Sequence, residues 1–129
     1  MAKPLRWYLR LLAGLTLISG LAQLGFPSEL GTASAWGVAP GWQREIGFWA
    51  LAMYIVIAQT LRANDAVAGR MVAIGLVVLQ FLAATNHAAG AIQRHSTLNA
   101  IMCAVNYGCV VFGTLALRGA RSSQTLRAR

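Results

Sequence analysis

The chain has 129 residues, which is typical of a single domain (residues 1–129), and 57% of them are hydrophobic whereas only 11% are charged. A soluble domain carries about 25% charged residues, so this composition excludes a free soluble enzyme, and it also excludes a disordered chain. The net charge of +8 comes from basic residues that lie between apolar segments. Membrane proteins place basic residues in this way, and no recognition motif accompanies them. We therefore expect a protein of the lipid bilayer with no nucleic-acid partner.

Four apolar segments follow one another along the chain, at residues 7–26, 42–61, 71–93 and 97–117. Each has about 20 residues, enough to cross about 30 Å of hydrocarbon as a helix. Helix is the expected form because the backbone must satisfy its own hydrogen bonds there, and no alternation typical of strands is visible. The sequence therefore predicts an all-α fold, an integral membrane four-helix transmembrane bundle.

The first segment also has features of a signal peptide. Basic residues precede its apolar stretch, and residues 33–35, Ala-Ser-Ala, resemble a cleavage site. These small residues lie far beyond the apolar stretch. We therefore expect the segment to be retained as a membrane span.

The connections between the segments differ in length. The first, residues 27–41, contains several Gly and Pro residues and is predicted to be irregular. Its Trp36, with Trp42 just after it, favours a loop anchored in the outer interface by indole rings, and the alternative is a cap over a pocket between helices. The last connection, residues 94–96, is so short that the third and fourth segments should form a helical hairpin.

The basic residues are distributed unequally between the two sides of the predicted bundle. Nine of the eleven lie on one side: Lys3, Arg6, Arg10, Arg62, Arg70, Arg118, Arg121, Arg127 and Arg129. The other side keeps Arg44 and Arg94. The positive-inside rule therefore places both termini in the cytoplasm, with the bundle in the cell (inner) membrane. Residues 118–129 are then a basic cytoplasmic tail, expected to be disordered and to rest near anionic lipid.

Each predicted span has at least one strongly polar residue in its outer half. Gln23, Glu45, His87 and Asn99 come from four different segments. Polar groups are costly in hydrocarbon and usually face the bundle interior, so we expect them to form the floor of a pocket open toward the outer leaflet. The predicted ligand-binding residues are His87, Glu45, Asn99, Asn106, Tyr107, Trp49, Trp42, Gln23 and Asn86.

Each of these residues also has a structural interpretation. Asparagine side chains hold membrane helices together at about 0.6 kcal/mol each, and Asn86, Asn99 and Asn106 fit that role. His87 is either a satisfied structural histidine, a residue that contacts a ligand or handles a proton, or less plausibly a metal ligand. Glu45 either forms an ion pair at the interface, with neighbouring arginines, or pairs with His87 in a pocket.

Other chemistry has little support in the sequence. A metal site needs several ligands at suitable spacing, which the chain lacks, and a haem would have only His87 as an axial ligand. Neither a Ser-His-Asp set at one level nor a phosphate-binding glycine loop is visible. Cys103 and Cys109 lie six residues apart in one apolar segment, so on a helix they point in directions about 240° apart and cannot bridge each other. We expect both to fill packing space.

Two short motifs and the layout of the spans resemble a known group. Residues 5–10 read Leu-Arg-Trp-Tyr-Leu-Arg, and residues 44–48, which open the second span, read Arg-Glu-Ile-Gly-Phe. With four short spans and both ends inside, the chain resembles the DoxX-like small bacterial membrane proteins, and BphX-like proteins of aromatic-degradation operons are similar in size and layout. Some members of the wider group are membrane partners of quinone-reducing or thiol-stress oxidoreductases. The resemblance implies a four-helix bundle with a quinone or redox connection, and it assigns no catalytic residue.

Three functions remain open from the sequence. The first is binding of a lipophilic small molecule, a quinone or a lipid, with its head bonded by His87, Glu45, Asn99 and Asn106 and its body beside Tyr107, Trp49 and Trp42. The second is an accessory subunit of a larger respiratory, photosynthetic or oxygenase membrane complex, or a homo-oligomer. The third is a membrane enzyme with His87 and Glu45 as its catalytic acid–base pair, acting on a lipophilic substrate.

Overall fold

The computed structural model describes the backbone of residues 1–127 and the side chains of residues 1–120. In this part of the chain there are five helices and no strand: α1 (Lys3–Gly25), α2 (Pro27–Ala33), α3 (Pro40–Ala63), α4 (Ala66–Arg94) and α5 (Thr97–Arg127). Four of them, α1, α3, α4 and the Thr97–Ala120 part of α5, are long and apolar enough to cross a membrane. The predicted all-α membrane bundle is confirmed.

The helix boundaries follow from local chemistry. A proline stands in the first turn of α1, α2 and α3, where its fixed φ suits the helix and its missing N–H costs nothing. Asp65 caps α4 by accepting a hydrogen bond from the Ala68 amide at 2.7 Å. Asn64 and His95 adopt the left-handed conformation, each with a φ of 53°. They reverse the chain after α3 and α4, which gives the two short turns of the bundle.

The first connection is more regular than its composition predicts. The prediction of an irregular loop at residues 27–41 is wrong for the first part of this segment, because Pro27–Ala33 forms α2. Pro27 starts this helix, Glu29 lies in its positively polarised first turn, and the Thr32 hydroxyl donates to the Ser28 carbonyl at 2.9 Å. Gly31 has no side chain to keep the following segment away: a Cβ there would lie 2.9 Å from the Gly37 carbonyl oxygen.

The predicted basic tail, residues 118–129, is helical up to Arg127, whereas the sequence predicted disorder. The last apolar segment was predicted to end at residue 117, and α5 continues to Arg127. Arg118 belongs to the part whose side chains are described. The side chains of residues 121–129, with three of the predicted tail arginines, lie outside the described residues.

The long helices form two pairs. α4 packs along α5, which confirms the predicted hairpin, and α1 packs along α3. The pairs meet mainly where α1 contacts α5, and α3 and α4 touch only sparsely. The apolar core lies at the end of the bundle where α1 begins, and it contains Leu5, Tyr8, Leu9, Leu12, Ala13, Ile57, Ala73, Leu76, Cys109 and Ala116. The opposite half therefore holds most of the predicted polar residues.

The contact between α1 and α3 depends on two glycines. A Cβ at Gly20 would lie 3.2 Å from the Gly47 carbonyl oxygen, and a Cβ at Gly47 would lie 3.1 Å from the Gly20 carbonyl oxygen. The two backbones therefore approach each other closely, as small residues permit in membrane helices. Leu51 and Leu24 fill the space beside them.

We expect Gly47→Leu to separate α1 from α3, because the new side chain has no room between Leu24 and Gly20. Overpacking of this kind lowers the free energy of unfolding by about 1–3 kcal/mol. Thermal unfolding followed by circular dichroism in detergent measures the effect. Gly75→Leu is the matched control, since a Cβ at Gly75 meets nothing within 4 Å. Equal stability of the two variants would contradict the proposed packing.

Candidate functional site

A buried asparagine organises the polar residues between α4 and α5. Asn99, in the first turn of α5, is 1% exposed. Its Oδ1 accepts a hydrogen bond from the Ala35 backbone amide at 2.9 Å, and the Ser96 hydroxyl lies 2.8 Å from the same oxygen. A buried amide is costly unless its donors and acceptors are paired. The side chain is therefore held in one orientation.

This orientation determines which ring nitrogen of the neutral His87 carries the proton. The Asn99 oxygen faces the Ala35 N–H, so the Asn99 amide group faces His87, where Nδ2 lies 3.2 Å from Nδ1. An amide nitrogen only donates, so Nδ1 accepts. The hydrogen-bond network thus assigns the proton of the neutral imidazole to Nε2. His87 is half-buried, and its Nε2 has no hydrogen-bond partner among the described residues.

The same residues attach the first connection to the α4–α5 hairpin. The Ser96 hydroxyl lies 3.0 Å from the Ala33 carbonyl oxygen as well as 2.8 Å from Asn99 Oδ1, so its single proton serves one acceptor at a time. Gly90 of α4 makes room, because a Cβ there would lie 2.6 Å from Asn99 Nδ2 and 2.9 Å from the Ala35 Cβ. We call this set the Asn99 cluster: His87, Ser96, Asn99 and the backbone of Ala33 and Ala35.

Glu45 does not belong to the Asn99 cluster. Its side chain is exposed on α3, the helix that contacts α4 sparsely. Among the described residues it forms no ion pair with Arg44 or Arg94 and no hydrogen bond with His87. The acid–base pair that the sequence offered as a catalytic alternative is therefore not assembled.

Gln23 and Asn106 face other parts of the bundle. Gln23 packs near Gly47 of α3, and its Oε1 is buried without a hydrogen-bond partner among the described residues. Asn106 is 7% exposed and donates to the Met102 carbonyl of its own helix at 2.6 Å. This bond satisfies one amide hydrogen locally, as expected of a structural asparagine.

The remaining predicted site residues are exposed on the surface of the bundle: Trp42, Trp49, Asn86 and Tyr107. The Tyr107 hydroxyl lies 3.5 Å from the Thr85 hydroxyl, and its ring contacts Phe81 edge-on at 6.2 Å. Thr85 and His87 are two positions apart on α4, so they point about 200° apart around its axis. Tyr107 and His87 therefore lie on different faces, and the predicted aromatic wall does not surround His87.

One open groove runs along α3. It has a volume of about 380 Å³ and is lined by Phe48, Trp49, Ala52, Met53 and Val56. His87 is not part of its lining. The groove contains one predicted wall residue, Trp49, and presents an apolar surface to the bilayer.

Some polar residues of the structure were not predicted as site residues. Ser96 had a sequence signal, because it precedes α5 by one residue with Asn99 three residues later. Its hydroxyl accepts a hydrogen bond from the Asn99 backbone N–H at 3.3 Å. Gln43 is 6% exposed on α3. Tyr8 is fully buried, and its hydroxyl has no partner among the described residues. Tyr8 lies between two arginines in the sequence, so its local sequence does not distinguish it from a tyrosine at the membrane interface.

The described part of the chain contains neither a group of metal-binding side chains nor a disulfide bond. No three His, Cys, Asp or Glu side chains among these residues gather around a common point. Cys103 and Cys109 are both free thiols.

Comparison with known proteins gave no match: no family model, no curated protein and no solved structure is similar to this chain. The resemblance to DoxX-like proteins therefore stays a prediction.

We expect Asn99→Ala to release the first connection from the hairpin, because the Ala35 amide loses its acceptor. Leaving a buried donor unpaired costs about 1–3 kcal/mol. Hydrogen–deuterium exchange in the peptide that contains Ala35 should become faster. Asn106→Ala is the matched control, since Asn106 bonds only to its own helix. Unchanged exchange at Ala35 in Asn99→Ala would show that other contacts hold the segment.

Proposed function

We propose that the protein binds a lipophilic molecule that carries a hydrogen-bond acceptor, such as a quinone, through His87. The observation that carries this proposal is the Nε2–H donor of His87. Asn99 fixes its ring, and the donor has no partner among the described residues. A donor held at membrane depth without an acceptor is costly. A ligand that offers a carbonyl oxygen removes this cost.

The chemistry of a quinone fits this donor. A quinone carbonyl accepts hydrogen bonds and donates none, and the neutral His87 offers a donor at Nε2 while Nδ1 is occupied by Asn99. A bound quinone would supply electron-transfer chemistry, in line with the redox connection that the DoxX-like resemblance implies. His87 would orient the head group by one hydrogen bond.

The helix arrangement favours entry from the bilayer. α3 and α4 contact each other sparsely, and a flat or chain-like body would enter the bundle between them. Buried sites for lipophilic molecules are mostly apolar with few polar groups that fix orientation. The Asn99 cluster supplies those polar groups from α4, α5 and the first connection.

The charge distribution supports a multi-pass protein of the inner membrane with cytoplasmic termini. The start of α1 and the α3–α4 turn lie at the same end of the bundle, where the Arg6 guanidinium donates to the Asn64 side-chain oxygen. This end holds Lys3, Arg6, Arg10, Arg62, Arg70 and Arg118. Arg44 and Arg94 lie toward the other end. The positive-inside rule then assigns the basic end to the cytoplasm.

Ligand binding is tested with the full chain purified in mild detergent. We expect an added short-chain quinone to bind and His87→Ala to weaken binding at least about fivefold, because one hydrogen bond contributes about 1 kcal/mol. Isothermal titration calorimetry measures the affinity, and mass spectrometry of extracts identifies any native ligand.

His95→Asn is the matched control for this experiment. It removes the other histidine, which lies in the α4–α5 turn, and keeps a residue that tolerates the left-handed conformation found there. Binding that is lost equally in both variants, or retained fully in His87→Ala, would overturn the role of His87.

Orientation is tested by labelling single cysteines in a chain whose native Cys103 and Cys109 are replaced by serine. We expect a membrane-impermeant maleimide added to intact cells to label Gln93→Cys, at the end of α4, and to leave Ala63→Cys, at the end of α3, unlabelled. Both positions are exposed in the structure. Permeabilised cells, where both should react, are the control. The reverse labelling pattern would place the termini outside the cytoplasm.

A second candidate function has one observation in its favour. Asn86 is exposed on α4, about 12 Å along the helix axis from its end, and it has no hydrogen-bond partner among the described residues. A polar side chain facing hydrocarbon favours a covering helix. This points to an accessory subunit of a larger complex. A stoichiometric protein partner in the same mild-detergent purification would favour this function.

A further inference from the structure

A second groove lies between α1 and α5. It has a volume of about 490 Å³ and is lined by Trp7, Arg10, Leu11 and Phe112. Trp7 is 62% exposed, and Leu11 and Phe112 are also partly open. Three of the four side chains that line the groove are apolar, and the fourth, Arg10, is a cation.

Arg10 forms no ion pair with an acidic side chain in the described part of the chain. Its guanidinium lies 5.1 Å from the centre of the Trp7 ring, a cation–π contact that fixes its position beside the groove. The three acidic residues of the chain are Glu29, Glu45 and Asp65, and within the described part of the structure none of them forms an ion pair with Arg10. Arg10 also lies about 10 Å further along α1 than Lys3. An anion beside this exposed guanidinium would pair with its charge.

The groove has a continuation toward the middle of the bilayer. Gly14 follows Leu11 by three positions on α1, and Gly108 precedes Phe112 by four on α5, so each extends the same helix face. A Cβ at either glycine would meet nothing within 4 Å. The antiparallel contact of Tyr8 with Gly113 places the two glycines at similar heights. Both glycines therefore leave open space on the helix faces that continue from the groove.

We propose that this groove binds an anionic phospholipid. The lipid phosphate pairs with Arg10, and one acyl chain lies against Trp7, Leu11 and Phe112 and continues past Gly14 and Gly108. Other cations at the same end attract a headgroup with net negative charge over a zwitterionic one. The site lies at the end of the bundle opposite the Asn99 cluster and does not depend on the proposed role of His87.

Native mass spectrometry of the full chain tests this site. The detergent-solubilised protein is mixed with equal amounts of dioleoyl-phosphatidylglycerol and dioleoyl-phosphatidylcholine. We expect the chain to retain phosphatidylglycerol preferentially, and Arg10→Gln to lower that preference about fivefold. Arg62→Gln is the matched control: it removes the same charge from the same end, outside the groove, and should keep the preference.

Two further variants separate the groove from general electrostatics. Leu11→Trp fills the groove and leaves the charge in place, so it should lose bound phosphatidylglycerol, and Arg10→Lys should restore most of the preference. Equal losses in Arg10→Gln and Arg62→Gln would overturn the proposal in favour of non-specific attraction. Full retention of phosphatidylglycerol in Leu11→Trp, or in Arg10→Gln, would also overturn it.

Discussion

A polar group that enters the hydrocarbon must find its hydrogen-bond partners within the protein, and the polar architecture of this bundle follows from that constraint. Asn99 is buried at the start of α5, and its amide has four hydrogen-bonding positions to satisfy. The Ala35 amide, the Ser96 hydroxyl and the His87 ring meet three of them. The Asn99 side chain therefore holds together the segment between α1 and α3, the α4–α5 turn and helix α4.

Two polar side chains of the bundle, His87 and Arg10, have hydrogen-bonding or charged groups without a hydrogen-bond or ion-pair partner among the described residues. His87 has one nitrogen bonded to Asn99 and the other without a partner among the described residues. Arg10 has a tryptophan ring beside it and forms no ion pair with an acidic side chain among the described residues. His87 lies near the end of α4 and Arg10 near the start of α1, so the two groups belong to opposite ends of the bundle. The proposed ligands are an acceptor for the histidine and an anion for the arginine.

The unequal packing of the helices separates the Asn99 cluster from the core. Gly20 and Gly47 bring α1 and α3 into close contact, and Gly90 permits the approach of Ala35 to Asn99. The apolar core lies near the start of α1, where Leu5, Tyr8, Leu9 and Leu12 are buried. The sparse contact between α3 and α4 leaves the other half of the bundle more open to the bilayer.

The sequence alone was sufficient to predict the fold class, the four membrane-spanning helices and the hairpin of α4 and α5, because length, hydropathy and a short turn are local properties of the chain. It also singled out His87 and Asn99, since polar residues are rare in apolar segments. It did not determine which polar residues meet. Among the described residues Glu45 and Tyr107 form no hydrogen bond with His87, Trp49 lines a groove that does not include His87, and α2 forms where glycines suggested a loop. These features depend on tertiary packing, because the rotation of each helix about its axis is set by its neighbours, as in the contact of Gly20 with Gly47.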